Sequence, residues 1–388
     1  MEIAFHYGAD AVYLSGKDFS LRNFSDNFSE QELFDAVQYA EARSKKIYLA
    51  CNVYSRNEEQ EHLEGYLEKL GRIAPHAIIL SDPGILRLVR RILPETDIHL
   101  STQANTTNIN AVRFWEDLGI KRVNLARELS LAEVGEIAAR VSAETEIFIH
   151  GAMCISYSGR CLLSSFLSMR DSNRGLCSHP CRWKYFLVEE KRPGQYLPVL
   201  EDGRGTYILN SKDLCMIGHI PEIIASGVDS VKIEGRMKGI NYLASVVKTY
   251  REAIDSFCDD PAGYTLQSRW SRELDNIFHR DYCTAFYFNR PDQVVANHDN
   301  RRCGRIHDFI GKVLHADENN TCSVRIRNRL LKNDRIEILS PGKENRNARM
   351  IALLDSDLNP LDAANPNTDA VLVLDRFAGK SDIIRKLA

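Results

Sequence analysis

The chain has 388 residues, 44% of them hydrophobic, and a formal net charge of -3. That length suffices for two domains with separate cores, and that charge excludes a protein that binds nucleic acid over its whole surface; any RNA contact has to come from a local patch. The opening stretch MEIAFHYGADAVYL has no basic region followed by a long apolar run, and no window holds about 18 consecutive apolar residues, so no signal peptide, no membrane span and a cytoplasmic location are expected.

From the N-terminus to about residue 255, short apolar runs alternate with helical stretches. The predicted strands are ADAVYLS (9–15), KIYLACN (46–52), AIILS (77–81), DIHLST (97–102), RVNLAR (122–127), EIFIHG (146–151), TYILN (206–210) and SVKIEG (230–235). Their apolar stretches are near-continuous, as expected for parallel strands covered by helices. Amphipathic stretches such as SEQELFDAVQYAEAR and SLAEVGEIAARVS lie between them, with Ser29 and Ser130 as predicted N-caps. About eight strand–helix units point to a TIM-like (β/α) barrel. A doubly wound open sheet is the competitor, and no GxGxxG follows an early strand to support a dinucleotide site. The barrel is expected over 1–255, with an insertion at about 166–205 whose EEKRPGQYLPVLEDGRG reads as a hairpin. Residues 256–300 read as a connector. Over 301–388 the pattern changes to short β-like runs (DFIGKVLHA, TCSVRIRN, DRIEILS, ARMIALLD, AVLVLDRF), which predict a small all-β barrel domain.

Of the ten cysteines, Cys154, Cys161, Cys177 and Cys181 fall close together, with gaps of six, fifteen and three residues. Without a sign of secretion, such a set points to a metal or cluster rather than to disulfides. Thiolates suit an Fe–S cluster or zinc. Structural zinc favours tighter pairs than these, and the plain alternative is a chance grouping of buried thiols. His150 and His179 are nearby substitutes for a cysteine. The scattered Cys51, Cys215, Cys258, Cys283, Cys303 and Cys322 are expected to be reduced, mostly buried thiols.

Polar residues stand at the predicted carboxyl ends of the strands: Asn52, Ser81 with Asp82, Gln103 with Asn105, Arg127, His150, Asn210 with Lys212 and Asp213, and Lys232, Glu234 and Arg236. In a barrel these converge on one mouth. A lone Asn52 or Asp82 is expected to be only a helix cap or salt-bridge member. Lys232, Glu234 and Arg236 alternate, so they share a face. They suit either a carboxylate or phosphate ligand or a buried ion-pair network. In the last domain, residues 300–350 hold twelve Lys or Arg against six Asp or Glu. Arg325, Arg327 and Arg329 alternate along a predicted strand, which fits an RNA backbone or an ordinary solvated face.

The segment EIFIHGAMCISYSGRCLLSS resembles the signature of the U32 peptidase family, with Glu146, Phe148, Gly151, Ala152, Met153, Cys154, Gly159, Cys161 and Ser164 at its spacing. GADAVYL, STQAN, NSKDL and KIEGRMK extend the resemblance over most of the chain. The family includes members described as collagenase-like proteases and oxygen-independent hydroxylases carrying a [4Fe–4S] cluster. Among the hydroxylases, one branch converts the wobble uridine of tRNA to 5-hydroxyuridine with prephenate, one acts on a ribosomal-RNA cytidine, and one is a heterodimer for ubiquinone precursors. RGLCSHPCRWKY followed by GTYILNSKDL is most similar to the tRNA branch. The resemblance therefore implies that Cys154, Cys161, Cys177 and Cys181 hold the cluster, with Cys215 in reserve. It also implies a strand and helix of the ELLAPAG kind ahead of GADAVYL, which MEIAFHY does not match.

A peptidase needs a nucleophile with a base, or an open metal site. The chain has no HExxH and no GxSxG, and Cys154 with His150 is the one conceivable pair. The expected activity is thus tRNA wobble-uridine hydroxylation. Lys232, Arg236 and Arg127 are expected to bind the carboxylates of a prephenate-like cosubstrate or an RNA phosphate. Glu234 lies between the first two, and His150 and Lys212 lie at the mouth. Gln103, Asn105, Asn210 and Asp213 are expected to orient the base, and Arg325, Arg327 and Arg329 to hold tRNA. An electron-donor protein is a candidate partner. The alternatives are a peptidase, a ribosomal-RNA cytidine hydroxylase and a non-catalytic cluster-bearing subunit.

Overall fold

Near-continuous apolar runs become parallel strands in this chain. The computed structural model describes residues 1–19, 27–154, 156–172, 175–182, 201–202, 205–206, 212–235, 238–288 and 307–387. A short helix, α1 (Glu2–His6), comes first. Then strands and helices alternate: β1 (Ala11–Leu14), α2 (Glu30–Glu41), β2 (Lys46–Ala50), α3 (Gln60–Ile73), β3 (Ala77–Leu80), α4 (Pro83–Ile92), β4 (Asp97–Leu100), α5 (Ile109–Asp117), β5 (Arg122–Asn124), α6 (Leu131–Ala138) and β6 (Glu144–Ala152). The two serine caps form as expected. Ser29 and Ser130 each accept the N3 backbone N–H while Glu32 and Glu133 reach back, a capping box at both helices.

β1 to β6 pair in sequence order, all parallel. Past β6 lie α7 (Leu163–Ser168), a hairpin of β7 (Glu201–Asp202) and β8 (Gly205–Thr206), β9 (Asp213–Cys215), α8 (Ile220–Ala225) and β10 (Ser230–Ile233). β10 joins β6 in parallel. β9, which the sequence did not announce, runs antiparallel to the end of β6. The expected strand at 206–210 falls beyond residue 206 outside the described residues. Among the described residues the sheet therefore has seven parallel strands in its wall, β1 to β6 and β10. Side chains bridge β10 and β1. Tyr13 OH donates to Glu234 Oε2 (2.8 Å), and Lys232 Nζ lies 4.9 Å from the Tyr13 ring centre. Ile47, Leu49, Ile78, Leu80, Ile98 and Leu100 on the strands, and Leu33, Leu63, Leu67 and Val89 on the helices, are almost fully buried. Each contributes on the order of 1.5–3 kcal/mol by leaving water.

The chain then forms α9 (Ile240–Asp259), α10 (Ser268–Asp275) and β11 (Tyr282–Cys283), which pairs with β9. The last part holds β12 (His307–Ala316), β13 (Thr321–Ile326), β14 (Leu330–Leu331), β15 (Arg335–Leu339), β16 (Arg346–Leu354), β17 (Ala363–Ala364), β18 (Asp369–Leu374) and β19 (Ile383–Leu387). Six of these close an antiparallel barrel in the order β12-β13-β18-β16-β15-β19, as the alternating runs predict. Its interior is Ile310, Val313, Val324, Ile326, Ile336, Ile338, Leu372 and Ile384.

Two compact units result. One comprises residues 10–237 and 280–301, the other residues 1–9, 238–279 and 302–388. The stretch 256–300, read as a connector, is divided between them. Within the second unit, Tyr7 donates to the Leu339 carbonyl (2.5 Å) and accepts from the Ile383 N–H (3.1 Å), tying the first residues to the barrel. Arg385 on β19 is 1% exposed. Its guanidinium meets Glu273 of α10 (2.6 Å) and Glu337 of β15 (3.3 Å), and it donates to Ser245 of α9 (2.6 Å). Among the described residues no helix is long and apolar enough to cross a membrane.

Candidate active site

The parallel strands deliver polar side chains to their carboxyl ends, and several meet there. Gln103 sits in a 3-10 turn, Thr102–Ala104, directly after β4, and is 2% exposed. Ser101 caps this turn by accepting the Gln103 N–H (3.4 Å), and Asn105 ends it in the left-handed region (φ 51°). Asn52, just past β2, donates Nδ2 to Gln103 Oε1 (2.7 Å). Asn105 Nδ2 donates to the carbonyls of Gln103 (2.9 Å) and Ser158 (3.1 Å). Arg127, past β5, lays its guanidinium 3.7 Å above the Phe148 ring centre and donates Nη1 to the Ala152 carbonyl (2.8 Å). Asn52 Oδ1, Gln103 Nε2, Asn105 Oδ1 and Arg127 Nε are buried with no hydrogen-bond partner among the described residues. Leaving such an atom unsatisfied costs about 1–3 kcal/mol, so a cluster of them at strand ends marks a place shaped for a ligand.

The cysteine segment lies against this cluster. Gly159 has φ +72°, and a Cβ there would stand 3.2 Å from Gln103 Cβ, so the glycine admits both the turn and the close approach. Gly151 (φ +110°) is similar: its Cβ would fall 2.5 Å from the Glu234 carbonyl oxygen, where β10 passes β6. Cys154 is exposed; Cys161, Cys177 and Cys181 are half-buried; none of the four is in a disulfide. A serine seam ties the helix after Cys161 to the residue after Cys177. Ser178 bonds Ser164 (3.2 Å) and Ser168 (2.6 Å) of α7, and the Ser178 N–H donates to Ser164 Oγ (3.1 Å). Cys177 Sγ accepts the His179 N–H (3.4 Å). The donor set is thus chemically suited to a thiolate-held cluster. Among the described residues, however, no group of three or more His, Cys, Asp or Glu side chains is gathered as a metal-holding set.

One layer below the mouth lies a buried charged cluster. Glu146 on β6 is 6% exposed and accepts Lys232 Nζ (2.8 Å), Asn124 Nδ2 (2.7 Å) and Ser230 Oγ (3.0 Å), with Arg122 Nη1 at 3.7 Å. Burial pushes its carboxyl pKa up, but Lys232 and Arg122 outweigh this and hold it at about 2. His99 packs edge-on to Tyr48, with centroids 4.6 Å apart. Burial, then the Arg122 charge, push its pKa down to about 3, so it is neutral.

This cluster engages several residues expected to bind ligand. Lys232 is paired with Glu146, and Glu234 accepts from Tyr13. Asp213 is 4% exposed and held by Arg280, whose Nη2 (2.6 Å) and Nε (3.0 Å) reach Oδ1 while its N–H donates to Oδ2 (3.1 Å). His150 is 1% exposed and packs on Tyr282 at 5.4 Å. Lys212 is half-buried, with its charge near Cys283. Asn210 and Arg236 lie outside the described residues. Asp82 is the N-cap expected of it, accepting the Gly84 N–H (2.7 Å). Asn52 is more than a cap. It stands two residues past β2 and Gln103 three past β4, and their common position beyond strand ends was the available signal. In the antiparallel barrel, Arg325 is forked onto Asp369, Arg327 reaches Asn367 Oδ1 (3.3 Å), and Arg329 is exposed.

An α/β unit with amides orphaned at its strand ends, a neighbouring cysteine-bearing segment and an antiparallel barrel define an enzyme-like architecture. Residues 1–297 match the model of peptidase family U32 and residues 305–385 that of the U32 C-terminal domain, and the chain belongs to this family. It is similar to tRNA hydroxylation protein P1 of Bacillus subtilis (41% identical, covering 100% of this chain and 92% of that protein). It is also similar to tRNA hydroxylation protein P of Escherichia coli (36% identical, 88% and 84% covered). The 23S rRNA 5-hydroxycytidine C2501 synthase of E. coli is 32% identical over 75% of this chain and 44% of that protein.

Proposed function

We propose that this protein is an RNA hydroxylase that converts a tRNA wobble uridine to 5-hydroxyuridine without molecular oxygen, using a [4Fe–4S] cluster and a prephenate-like cosubstrate. The observation that carries the reading is the set of orphaned polar atoms on Asn52, Gln103, Asn105 and Arg127 beside the cysteine segment. The full-length similarity to a tRNA hydroxylation protein supports it. In this reading the parallel sheet is a (β/α) barrel closed between β10 and β1 by Tyr13, Lys232 and Glu234.

The Asn52–Gln103 pair leaves one donor, Gln103 Nε2, and one acceptor, Asn52 Oδ1. Exchanging O and N in both amides leaves the same count. Adjacent donor and acceptor match O4 and N3–H of uracil. They also match N3 and the amino group of cytosine, so the choice of uridine rests on the tRNA hydroxylation relatives. Arg127, with its free Nε, is the anchor for a cosubstrate carboxylate. Cys154, Cys161, Cys177 and Cys181 would hold the cluster, which supplies one-electron redox chemistry when bound. The cytoplasm is the expected setting, and an electron-donor protein the expected partner.

A peptidase reading finds less support. Cys154 is exposed while His150 is buried against Tyr282, opposite environments for a nucleophile and its base. The test is complementation of a deletion strain, with tRNA nucleosides read by mass spectrometry and iron and sulfide measured on anaerobically purified protein. The wild-type chain restores 5-hydroxyuridine and carries about four irons, the count for a four-cysteine cluster. Cys154→Ala and Cys181→Ala lose both. Full modification by both variants would end this reading.

A further inference from the structure

The geometry points to an RNA-phosphate site on the outer wall of the antiparallel barrel, centred on Arg335 and Arg349 rather than on Arg325, Arg327 and Arg329. This inference rests on the RNA-hydroxylase reading for the identity of the ligand. Arg335 on β15 and Arg349 on β16 are directly opposed in the antiparallel ladder. Their neighbours Ile336, Ala348 and Met350 are buried in the barrel, so both arginines point outward, and both are exposed. Opposed residues of such a pair have Cβ atoms about 4.5–5.5 Å apart, and like charges there repel.

The other opposed cations, Lys312 and Arg325, each have a carboxylate, and Lys312 meets Glu2 (3.4 Å). Arg325 is forked onto Asp369, Lys332 onto Asp362, and Arg385 onto Glu273 and Glu337. Among the described residues, neither Arg335 nor Arg349 has a carboxylate within ion-pair distance. The Asp375 carboxylate accepts the backbone N–H of Arg349 (2.9 Å). The Asp375 N–H returns to the Arg349 carbonyl (3.0 Å), and the exposed Arg376 and Phe377 (45% exposed) follow Asp375 in the chain. Ile351, 62% exposed, follows Arg349 on the same strand.

Two opposed guanidiniums with no carboxylate within ion-pair distance among the described residues form a site for an anion placed between them. A phosphodiester fits, because its two free oxygens accept from both arginines at once. Phe377 and Ile351 add apolar surface of the kind that a ribose or an unstacked base covers. A chain whose formal charge is -3 overall thus presents two opposed exposed arginines that, among the described residues, have no ion-pair partner.

The test measures tRNA binding by the full-length protein across a salt series. Arg335→Gln with Arg349→Gln is expected to weaken binding about tenfold near 0.1 M salt and to flatten the slope of log K against log salt by about 1, the share of one phosphate contact. Arg325→Gln with Arg327→Gln is expected to leave the slope unchanged. Removing a like-charge pair should also leave Tm unchanged or raise it. An unchanged slope in the first double variant overturns the site, as does a loss of affinity accompanied by a fall in Tm. If the wild-type chain shows no salt-sensitive binding to tRNA, the site and the RNA reading fall together.

Discussion

The same strands carry two polar layers that differ in one respect. Tyr48, His99, Arg122 and Glu146 form the lower layer with Lys232; Asn52, Gln103, Arg127 and His150 stand four or five residues further along β2, β4, β5 and β6. In the lower layer the charged groups meet each other: Lys232 and Arg122 on Glu146, and Arg122 again on Glu144 (2.6 Å). In the upper layer, neutral amides and one arginine keep unused hydrogen-bonding atoms. A buried ion that is fully paired serves the fold, whereas a buried amide left half-paired waits for a partner from outside. Polarity alone therefore does not identify the site; the residual valence of each group does.

Cutting the lower layer should have the largest effect. Lys232→Met leaves the Glu146 carboxylate buried with a single cation, and a loss of about 3–5 kcal/mol in urea unfolding is expected. A loss below 1 kcal/mol would mean that the lower layer is not structural. In the upper layer the balance reverses. Gln103→Ala should cost only about 1 kcal/mol of stability, because its hydrogen bonds are few and neutral, yet lower kcat/KM for tRNA hydroxylation on the order of a hundredfold. Equal losses in both assays would erase the distinction. The smallest effect is a slope. His99 has its pKa pushed from 6.5 to about 3, so between these values the unfolded chain binds the proton and the folded chain does not. Stability therefore rises with pH across that window and declines as pH falls below 6.5. Glu146, held at about 2, adds its own loss below about pH 4.5. His99→Gln should flatten the pH 5–6.5 part of a stability profile and leave the part below pH 4.5 in place.

Much of this arrangement is legible from the chain, and the exceptions share a cause. The seven parallel strands follow from apolar runs long enough to be buried on both faces. β9 has only Asp213, Leu214 and Cys215, and its place depends on backbone pairing with His150 to Ala152. β19 contains Arg385, a residue that reads as surface; its burial depends on Glu273 and Glu337, more than a hundred and nearly fifty positions away. The alternation of Lys232 and Glu234 was readable as a shared inward face. That Lys232 would be engaged by Glu146 was not, since the partner lies 86 residues upstream. Asn52 was passed over because a single asparagine after a strand usually caps a helix; only the fold places it against Gln103.

The position of β19 has a consequence for the order of synthesis. Every strand of the parallel sheet, through β11 at Cys283, leaves the ribosome while the antiparallel barrel is still incomplete. The barrel then holds β12 and β15 with open edges until Ile383–Leu387 arrives to bond with both. Residues 1–9 are made before any of these strands, yet they belong to the unit that β19 completes. Loss of Ile383–Leu387 would therefore leave residues 1–9 without their finished unit, as well as β12 and β15 with open edges.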